Sequence, residues 1–187
     1  KAMTTALLLI DIQNDYFSGG AMELVEMETA AGNAAMLLGA ARDAGLPVFH
    51  LRHLSTHDGA TFFLPGTSGA ETSAVVAPVE GEIVVEKNFP NGFRETDLQD
   101  QLQRAGVDAL VIAGAMSHMC VDGTTRAAAD LGYDCTVAAD ACATCDLAFG
   151  GEIVPAAQAH GSFMAALGQA YGVVVTAREA AAEFGSG

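Results

Sequence analysis

Short apolar runs alternate with longer amphipathic segments along this chain. Six runs have the length and the apolar or β-branched character of strands, and they cover residues 6–10, 47–51, 82–86, 107–113, 133–138 and 172–176. Hydrophobic residues at helical spacing predict helices over residues 28–44, 95–105, 120–131 and 153–170, with a short Ala-rich helix after the last strand. This alternation favours a mostly parallel sheet covered by helices on both faces.

Residues 52–81 interrupt the alternation and form one long irregular segment. A loop of this length in a compact domain is usually functional, often as the wall of an active site. In open α/β sheets, ligands bind outside the carboxyl ends of the strands. The residues that directly follow each strand are therefore the first place to look for chemistry.

Length and composition indicate a single globular domain. The chain has 187 residues, of which 51% are hydrophobic and 17% are charged, so it can bury a sizeable core. We expect one domain over residues 4–184, with terminal extensions at 1–3 and 185–187. The 8 basic and 23 acidic residues give a net charge of −15, which argues against nucleic acid and anionic membranes as partners.

The sequence also predicts a compartment. Every apolar run is far shorter than the ~20 residues that a membrane span requires, and the chain does not open with a charged-then-apolar signal segment. Four cysteines without such a signal indicate a reducing environment. We therefore expect a cytoplasmic protein with free thiols.

Three residues with catalytic potential follow predicted strands. Asp11 follows the first strand, Lys87 follows the third, and Cys120 lies after the fourth, near the start of a predicted helix. Lys1 and Lys87 are the only lysines among the eight basic residues, and the pKa of lysine, unlike that of arginine, responds to its surroundings. Taken alone, each also has a structural interpretation: a turn cap, a surface lysine and a buried thiol.

Together the three residues form a chemically complete set. A thiol nucleophile needs a base that takes its proton and a cation that favours the charged forms. The start of a helix adds positive charge and free N–H groups, which lower the pKa of a thiol and stabilise an oxyanion. We therefore predict that Asp11, Lys87 and Cys120 meet at the carboxyl edge of the sheet.

At this point the sequence resembles a known family. Asp11 in an Asp-x-Gln-x-Asp pattern, Lys87 after a strand and Cys120 in Ser-His-Met-Cys-Val are similar to the isochorismatase-like cysteine hydrolases, from about residue 5 to residue 175. The resemblance implies a Rossmann-like three-layer α/β/α fold with a six-stranded parallel sheet. It also implies an Asp-Lys-Cys triad that hydrolyses a C–N amide-type bond of a small molecule through a thioester, and we expect no cofactor.

The resemblance carries further expectations. It implies a cis peptide bond between Ala115 and Met116, with the backbone N–H groups of Met116 and Cys120 as the oxyanion hole. Relatives are commonly dimers or tetramers, so we expect a homodimer or a higher homo-oligomer. The candidates for the substrate pocket are two polar residues and four phenylalanines, for which core packing is the alternative: Gln13, Ser117, Phe17, Phe63, Phe89 and Phe93.

A metal is not expected. Nicotinamidases of this family carry an Asp-x-His metal motif after the second strand, whereas this chain has His50, His53 and His57 without that motif. Histidine spacing alone is a weak indication of a metal site. We therefore assign His50 and His53 to the core or to the pocket wall.

Two other functions stay open on the sequence alone. Cys142 and Cys145 form a Cys-x-x-Cys pair after the fifth strand, a spacing that thiol redox proteins use. The other alternative is a non-catalytic protein that binds a small molecule on the same fold. The three intact catalytic positions argue against that alternative.

Overall fold

A computed structural model describes residues 3–184, so most of the predicted terminal extensions, residues 1–2 and 185–187, lie outside the described chain. The described residues form eight strands: β1 (Thr5–Ile10), β2 (Val48–His53), β3 (Ile83–Lys87), β4 (Ala109–Ala115), β5 (Asp134–Ala143), β6 (Leu147–Phe149), β7 (Glu152–Val154) and β8 (Val173–Val175). Six of them build one parallel sheet in the order β3-β2-β1-β4-β5-β8. The predicted six-stranded parallel sheet is confirmed.

Helices cover both faces of this sheet. They are α1 (Met27–Asp43), α2 (Leu98–Arg104), α3 (Asp122–Asp130), α4 (Ala156–Ala170) and α5 (Ala177–Ala182). Leu7 and Leu9 of β1 point into the core under α1 and α5, whereas Leu8 and Ile10 point into the core under α2, α3 and α4. Because successive side chains of a strand alternate between faces, a continuous apolar run serves both cores, and the three-layer α/β/α fold is confirmed.

Two elements differ from the sequence-based prediction. β5 continues to Ala143 because residues 141–143 are buried in the sheet beside β4. The predicted helix over 153–170 begins only at Ala156, after the antiparallel hairpin of β6 and β7. Gly150 and Gly151 both adopt positive φ angles between those strands, as a tight two-residue hairpin turn requires.

The long segment between β2 and β3 is folded against the carboxyl end of the sheet. It contains two short 3₁₀ turns, Ser68–Ala70 and Ala74–Val76, and it meets the chain after β1 through an isolated bridge from Gln13 to Thr72. Its position above the strand ends agrees with the prediction of an active-site wall. None of the described helices is long and apolar enough to cross a membrane.

Candidate active site

The structure brings Asp11, Lys87 and Cys120 into direct contact. The Lys87 Nζ atom lies 2.7 Å from Asp11 Oδ2 and 3.3 Å from Cys120 Sγ. The three residues are 0%, 1% and 4% exposed, respectively. A carboxylate, an ammonium group and a thiol therefore share one buried cluster, as their positions after three strands predicted.

Each side chain is placed by the end of a strand. Asp11 follows β1 with a φ angle of 50°, and its backbone N–H donates to the carbonyl of Leu51 in β2. Lys87 is the last residue of β3. Cys120 lies in a π-helical turn, Ser117–Val121, that links β4 to α3. Adjacent parallel strands end at the same edge, so the fold itself assembles the cluster.

A glycine permits the close packing of β1 and β4 just before the site. Gly114 has a φ angle of +134°, and a Cβ atom at this position would lie 2.0 Å from the carbonyl oxygen of Ile10. A side chain there would push β4 away from the residue that precedes Asp11. The glycine therefore helps to set the distance between the carboxylate and the turn that carries Cys120.

The electrostatics of the cluster favour a protonated thiol. Burial lowers the pKa of Lys87, but the negative charge of Asp11 and the hydrogen bonds of the cluster raise it above its ordinary value, so Lys87 is a cation. Burial raises the pKa of Cys120, and the charge of Asp11 raises it further against the opposing effect of Lys87. Burial and the charge of Asp11 therefore shift the Cys120 pKa in the direction opposite to the lowering expected from the start of a helix.

Asp11 has an oxygen available for the thiol proton. Oδ2 accepts a hydrogen bond from Lys87, and the Cys120 thiol is close enough to the same carboxylate for a side-chain hydrogen bond that raises the pKa of the thiol. Asp11 is therefore placed to take the thiol proton inside the cluster.

The turn around Cys120 has the geometry that the family resemblance implied. The peptide bond between Ala115 and Met116 is cis. The carbonyl of Met116 accepts hydrogen bonds from the N–H groups of Met119 and Val121. The turn therefore wraps Cys120 back toward Met116, which brings the two predicted oxyanion-hole residues close to each other.

Two further groups bind the ammonium of Lys87. Nζ lies 3.0 Å from Nδ1 of His53 and 3.2 Å from the carbonyl oxygen of Phe89. The sequence alone places His53 only in the core or the pocket wall. His53 lies beside Lys87 because β2 and β3 are neighbours in the sheet. The spacing of residues along the sequence does not show a contact between such distant positions.

The cluster resembles a metal site but is occupied by the lysine. Ligand atoms of Asp11, His53 and Cys120 lie within 4.8 Å of one another, as the ligands of one ion would. The Nζ atom of Lys87 lies within 3.3 Å of all three. The ammonium thus supplies the positive charge at the position where a metal ion would bind.

The two polar pocket candidates bind mainly to other parts of the protein. Gln13 is buried, and its amide accepts from the N–H of His53 and donates to the carbonyls of His53 and Ala70, each at 2.8 Å. Ser117 donates to the carbonyl of Ala143 and lies 2.8 Å from Nδ1 of His160, which lines a separate cavity of about 280 Å³. Gln13 therefore holds the backbone around the site. Ser117 instead connects the turn of Cys120 to β5 and to His160 of the separate cavity.

Phe63 belongs to an aromatic wall beside the cluster. Its buried ring packs edge-on against Tyr16 at 4.5 Å between centroids and lies 6.0 Å from the ring of His53. Phe17 is half-buried against the core on the α1 side of the sheet. Burial raises the pKa of Tyr16, and the neighbouring acidic groups Cys120 and Asp11 raise it further, so this neutral phenol also borders the cluster.

The other two phenylalanines have different surroundings. Phe89 is close to the cluster, since its carbonyl contacts Lys87 and its ring lies 3.6 Å below the guanidinium of Arg94. Phe93 stacks on Tyr133 at 6.2 Å, and Tyr133 directly precedes β5 at the amino end of that strand. Phe93 therefore packs in the helix layer, away from the carboxyl edge.

The Cys-x-x-Cys pair has no redox geometry. Cys142 lies within β5 and Cys145 follows that strand, and both thiols are free. Residues three apart on an extended chain are separated by ~10 Å, beyond the ~7 Å limit for the Cα atoms of a disulfide. Their sulfurs also contact different groups, the carbonyl of Ala138 and the sulfur of Met116.

Comparisons with known proteins agree with this geometry. A family model for the isochorismatase domain matches residues 5–179. The isochorismatase family protein YddQ of Bacillus subtilis is 52% identical over 174 residues, which cover 93% of this chain and 97% of YddQ. Streptothricin hydrolase of Streptomyces noursei is 37% identical, over 96% of this chain and 64% of that protein.

A solved structure supports the same assignment. The chain superimposes on an isochorismatase-type hydrolase from Oleispira antarctica with a TM-score of 0.94 and 56% sequence identity, over 97% of this chain and 98% of the other. Agreement at this level covers the sheet, both helix layers and the strand ends that carry the cluster. The chain belongs to the isochorismatase family of hydrolases.

Proposed function

We propose that this protein is a cysteine hydrolase that cleaves a C–N amide-type bond of a small molecule through a thioester on Cys120. The observation that carries the proposal is the ammonium of Lys87, which bridges Asp11 and Cys120 at 2.7 and 3.3 Å in a buried site. Base, cation and nucleophile are the complete set that thiol-based acyl transfer requires. The name of the relative streptothricin hydrolase also supports hydrolysis.

The acylation step follows from the charges of the cluster. Asp11 accepts the proton of Cys120, so the S–H bond breaks, an O–H bond forms, and the total charge of the cluster does not change. The thiolate attacks the carbonyl carbon of the substrate, and the N–H groups of Met116 and Cys120 stabilise the oxyanion. Asp11 then returns the proton to the departing nitrogen, which leaves as an amine or ammonia.

Water completes the cycle. Asp11, again a carboxylate, removes a proton from water as the water oxygen attacks the thioester carbonyl. The tetrahedral intermediate collapses, the C–S bond breaks, and a carboxylic acid leaves. The proton on Asp11 returns to the sulfur, and Lys87 remains charged throughout. All of these steps use residues of the chain and one water molecule.

The two other hypotheses have less support. A thiol redox role for Cys142 and Cys145 lacks the required geometry. A purely binding role offers no reason to bury an ion pair and a thiol in one cluster, since burial of charges is costly. Catalysis supplies that reason.

A panel of small primary and secondary amides tests the proposal, with release of ammonia or amine as the readout. For any amide that the unaltered protein hydrolyses, we expect Cys120→Ser to reduce the rate by about a thousandfold or more. Cys135→Ser is the matched control, because Cys135 is also buried but lies at the start of β5. Undiminished turnover by the Cys120→Ser variant would remove the cysteine-hydrolase proposal.

A further inference from the structure

The ammonium of Lys87 has more acceptors than protons. Four acceptors surround Nζ: Asp11 Oδ2 at 2.7 Å, His53 Nδ1 at 3.0 Å, the Phe89 carbonyl at 3.2 Å and Cys120 Sγ at 3.3 Å. A lysine ammonium donates only three hydrogen bonds. The four groups therefore compete, and one of them receives no proton at any moment.

The thiol is the weakest competitor in the resting site. A charged carboxylate takes the strongest hydrogen bond, and an imidazole nitrogen and a carbonyl oxygen are both better acceptors than a neutral sulfur. Asp11, His53 and Phe89 therefore occupy the three protons of Lys87. To bind a thiolate on Cys120, the ammonium must release one of these partners.

His53 is well suited to be a fixed competitor. Burial lowers its pKa to about 4, with a further decrease from Lys87 and His57 and an opposing increase from Asp11. His53 is therefore neutral near pH 7, with Nδ1 as an acceptor. Its backbone is held on both sides, because the side chain of Gln13 binds its N–H and its carbonyl.

We propose that His53 is a positioning residue that competes with Cys120 for a hydrogen bond of Lys87 and thereby keeps the thiol protonated in the free enzyme. The inference rests on the proposed function of Cys120. During activation, the proton passes from Cys120 to Asp11, and Lys87 exchanges His53 for the sulfur as an acceptor. Lys87 keeps all of its protons, so the exchange changes hydrogen bonds but not the number of charges on the lysine.

Two substitutions separate this role from simple steric shielding. His53→Phe retains a ring beside Phe63 but removes the acceptor, whereas His53→Asn is smaller and retains an acceptor oxygen. His57→Asn is the matched control, because His57 lies on the same segment but is exposed. His53→Leu is a second variant without an acceptor, for use if the phenylalanine variant does not fold.

The measurement is the rate of Cys120 alkylation by iodoacetamide at pH 7, followed by peptide mass spectrometry. We expect the rate to rise about tenfold in His53→Phe, the effect of one hydrogen bond to a charged group. It should stay within about twofold of the unaltered protein in His53→Asn and His57→Asn. A slower or unchanged rate in His53→Phe overturns the inference. So does an equal rise in His53→Asn, because it indicates better access for the reagent.

The alkylation result and the test of the proposed function can fail separately. Undiminished amide hydrolysis by Cys120→Ser contradicts the function, whatever the alkylation rates are. Loss of hydrolysis in Cys120→Ser together with an unaltered alkylation rate in His53→Phe contradicts only the role of His53. The two failures are therefore distinguishable.

Discussion

Asp11 and Lys87 form an ion pair that water does not reach, since both side chains are 0% exposed. Such a pair is not by itself stabilising, because burial of two charges costs about as much as their attraction returns. Removal of one partner is far more damaging, since it leaves the other charge buried alone. The pair therefore ties the stability of the fold to the integrity of the site.

This asymmetry predicts the behaviour of two variants at the residue scale. Lys87→Met should lower the free energy of unfolding by about 3–5 kcal/mol, because the carboxylate of Asp11 loses its counter-charge. The double variant Lys87→Met/Asp11→Asn should recover much of that loss, because no charge remains. Urea denaturation of the three proteins measures both effects, and a double variant as unstable as the single one would show that the charge is not the cause.

At the scale of elements, Glu82 links three parts of the fold just before β3. It accepts hydrogen bonds from Arg42 of α1 at 2.7 and 3.0 Å and from the backbone of Val79 at 3.0 Å, and it pairs with His50 of β2 at 2.8 Å. Burial raises the pKa of Glu82, but these hydrogen bonds outweigh that effect and lower it from 4.5 to about 2. His50 thus serves the core, as its assignment from the sequence proposed.

The lowered pKa predicts how this junction depends on pH. Because the folded pKa lies below the unfolded one, Glu82 stabilises the fold fully above about pH 4.5, and the contribution is lost as pH falls toward 2. Glu82→Gln should therefore be less stable by about 1–3 kcal/mol at pH 7, with a smaller difference at pH 3. Glu71→Gln, which breaks an exposed pair with Arg52, should change stability by less than about 1 kcal/mol. Urea titrations at both pH values measure the free energy of unfolding of these proteins. If Glu82→Gln loses equally much stability at pH 7 and at pH 3, the proposed pH dependence of Glu82 is contradicted.

Much of the fold could be predicted from periodicity, and the rest depends on contacts between distant residues. Apolar runs gave the six sheet strands, because a strand buried on both faces has a distinct pattern. The hairpin was missed because Leu147–Phe149 and Glu152–Val154 are only three residues each, too short for a periodicity. Their Gly150-Gly151 turn was the available signal.

The three central residues of the site could be predicted from the sequence, but the pKa of Cys120 could not. Strand-end positions identified Asp11, Lys87 and Cys120, since the carboxyl edge of a parallel sheet is fixed by topology. The raised pKa of Cys120 depends on burial, which the sequence does not show. The partnership of His53 with Lys87 depends on the register of β2 and β3. For Phe93, the stack on Tyr133 favours core packing, the alternative that the sequence left open.

At the scale of the whole molecule, the hairpin of β6 and β7 carries two of the most exposed large apolar side chains of the described chain. Phe149 and Ile153 on it are 83% and 62% exposed. Because Ile153 pairs with Ala148 and Phe149 pairs with Glu152, the two side chains point to opposite faces of the hairpin and do not form one continuous apolar patch. A homodimer or higher homo-oligomer remains a prediction, and cytoplasmic location likewise remains a prediction.

In the proposed mechanism, Cys120 passes its proton to Asp11 within a cluster of constant charge. The most direct test is the rate of Cys120 alkylation by iodoacetamide from pH 5 to 9, with the half-buried Cys145 as an internal reference. We predict a nearly constant rate for Cys120, because the proton that leaves the sulfur stays on its coupled partner. The rate for Cys145 should climb with pH. An ordinary thiol with a pKa of ~8.5 reacts about tenfold faster per pH unit below that pKa. If the Cys120 rate rises in the same way, proton transfer from Cys120 to Asp11 is contradicted.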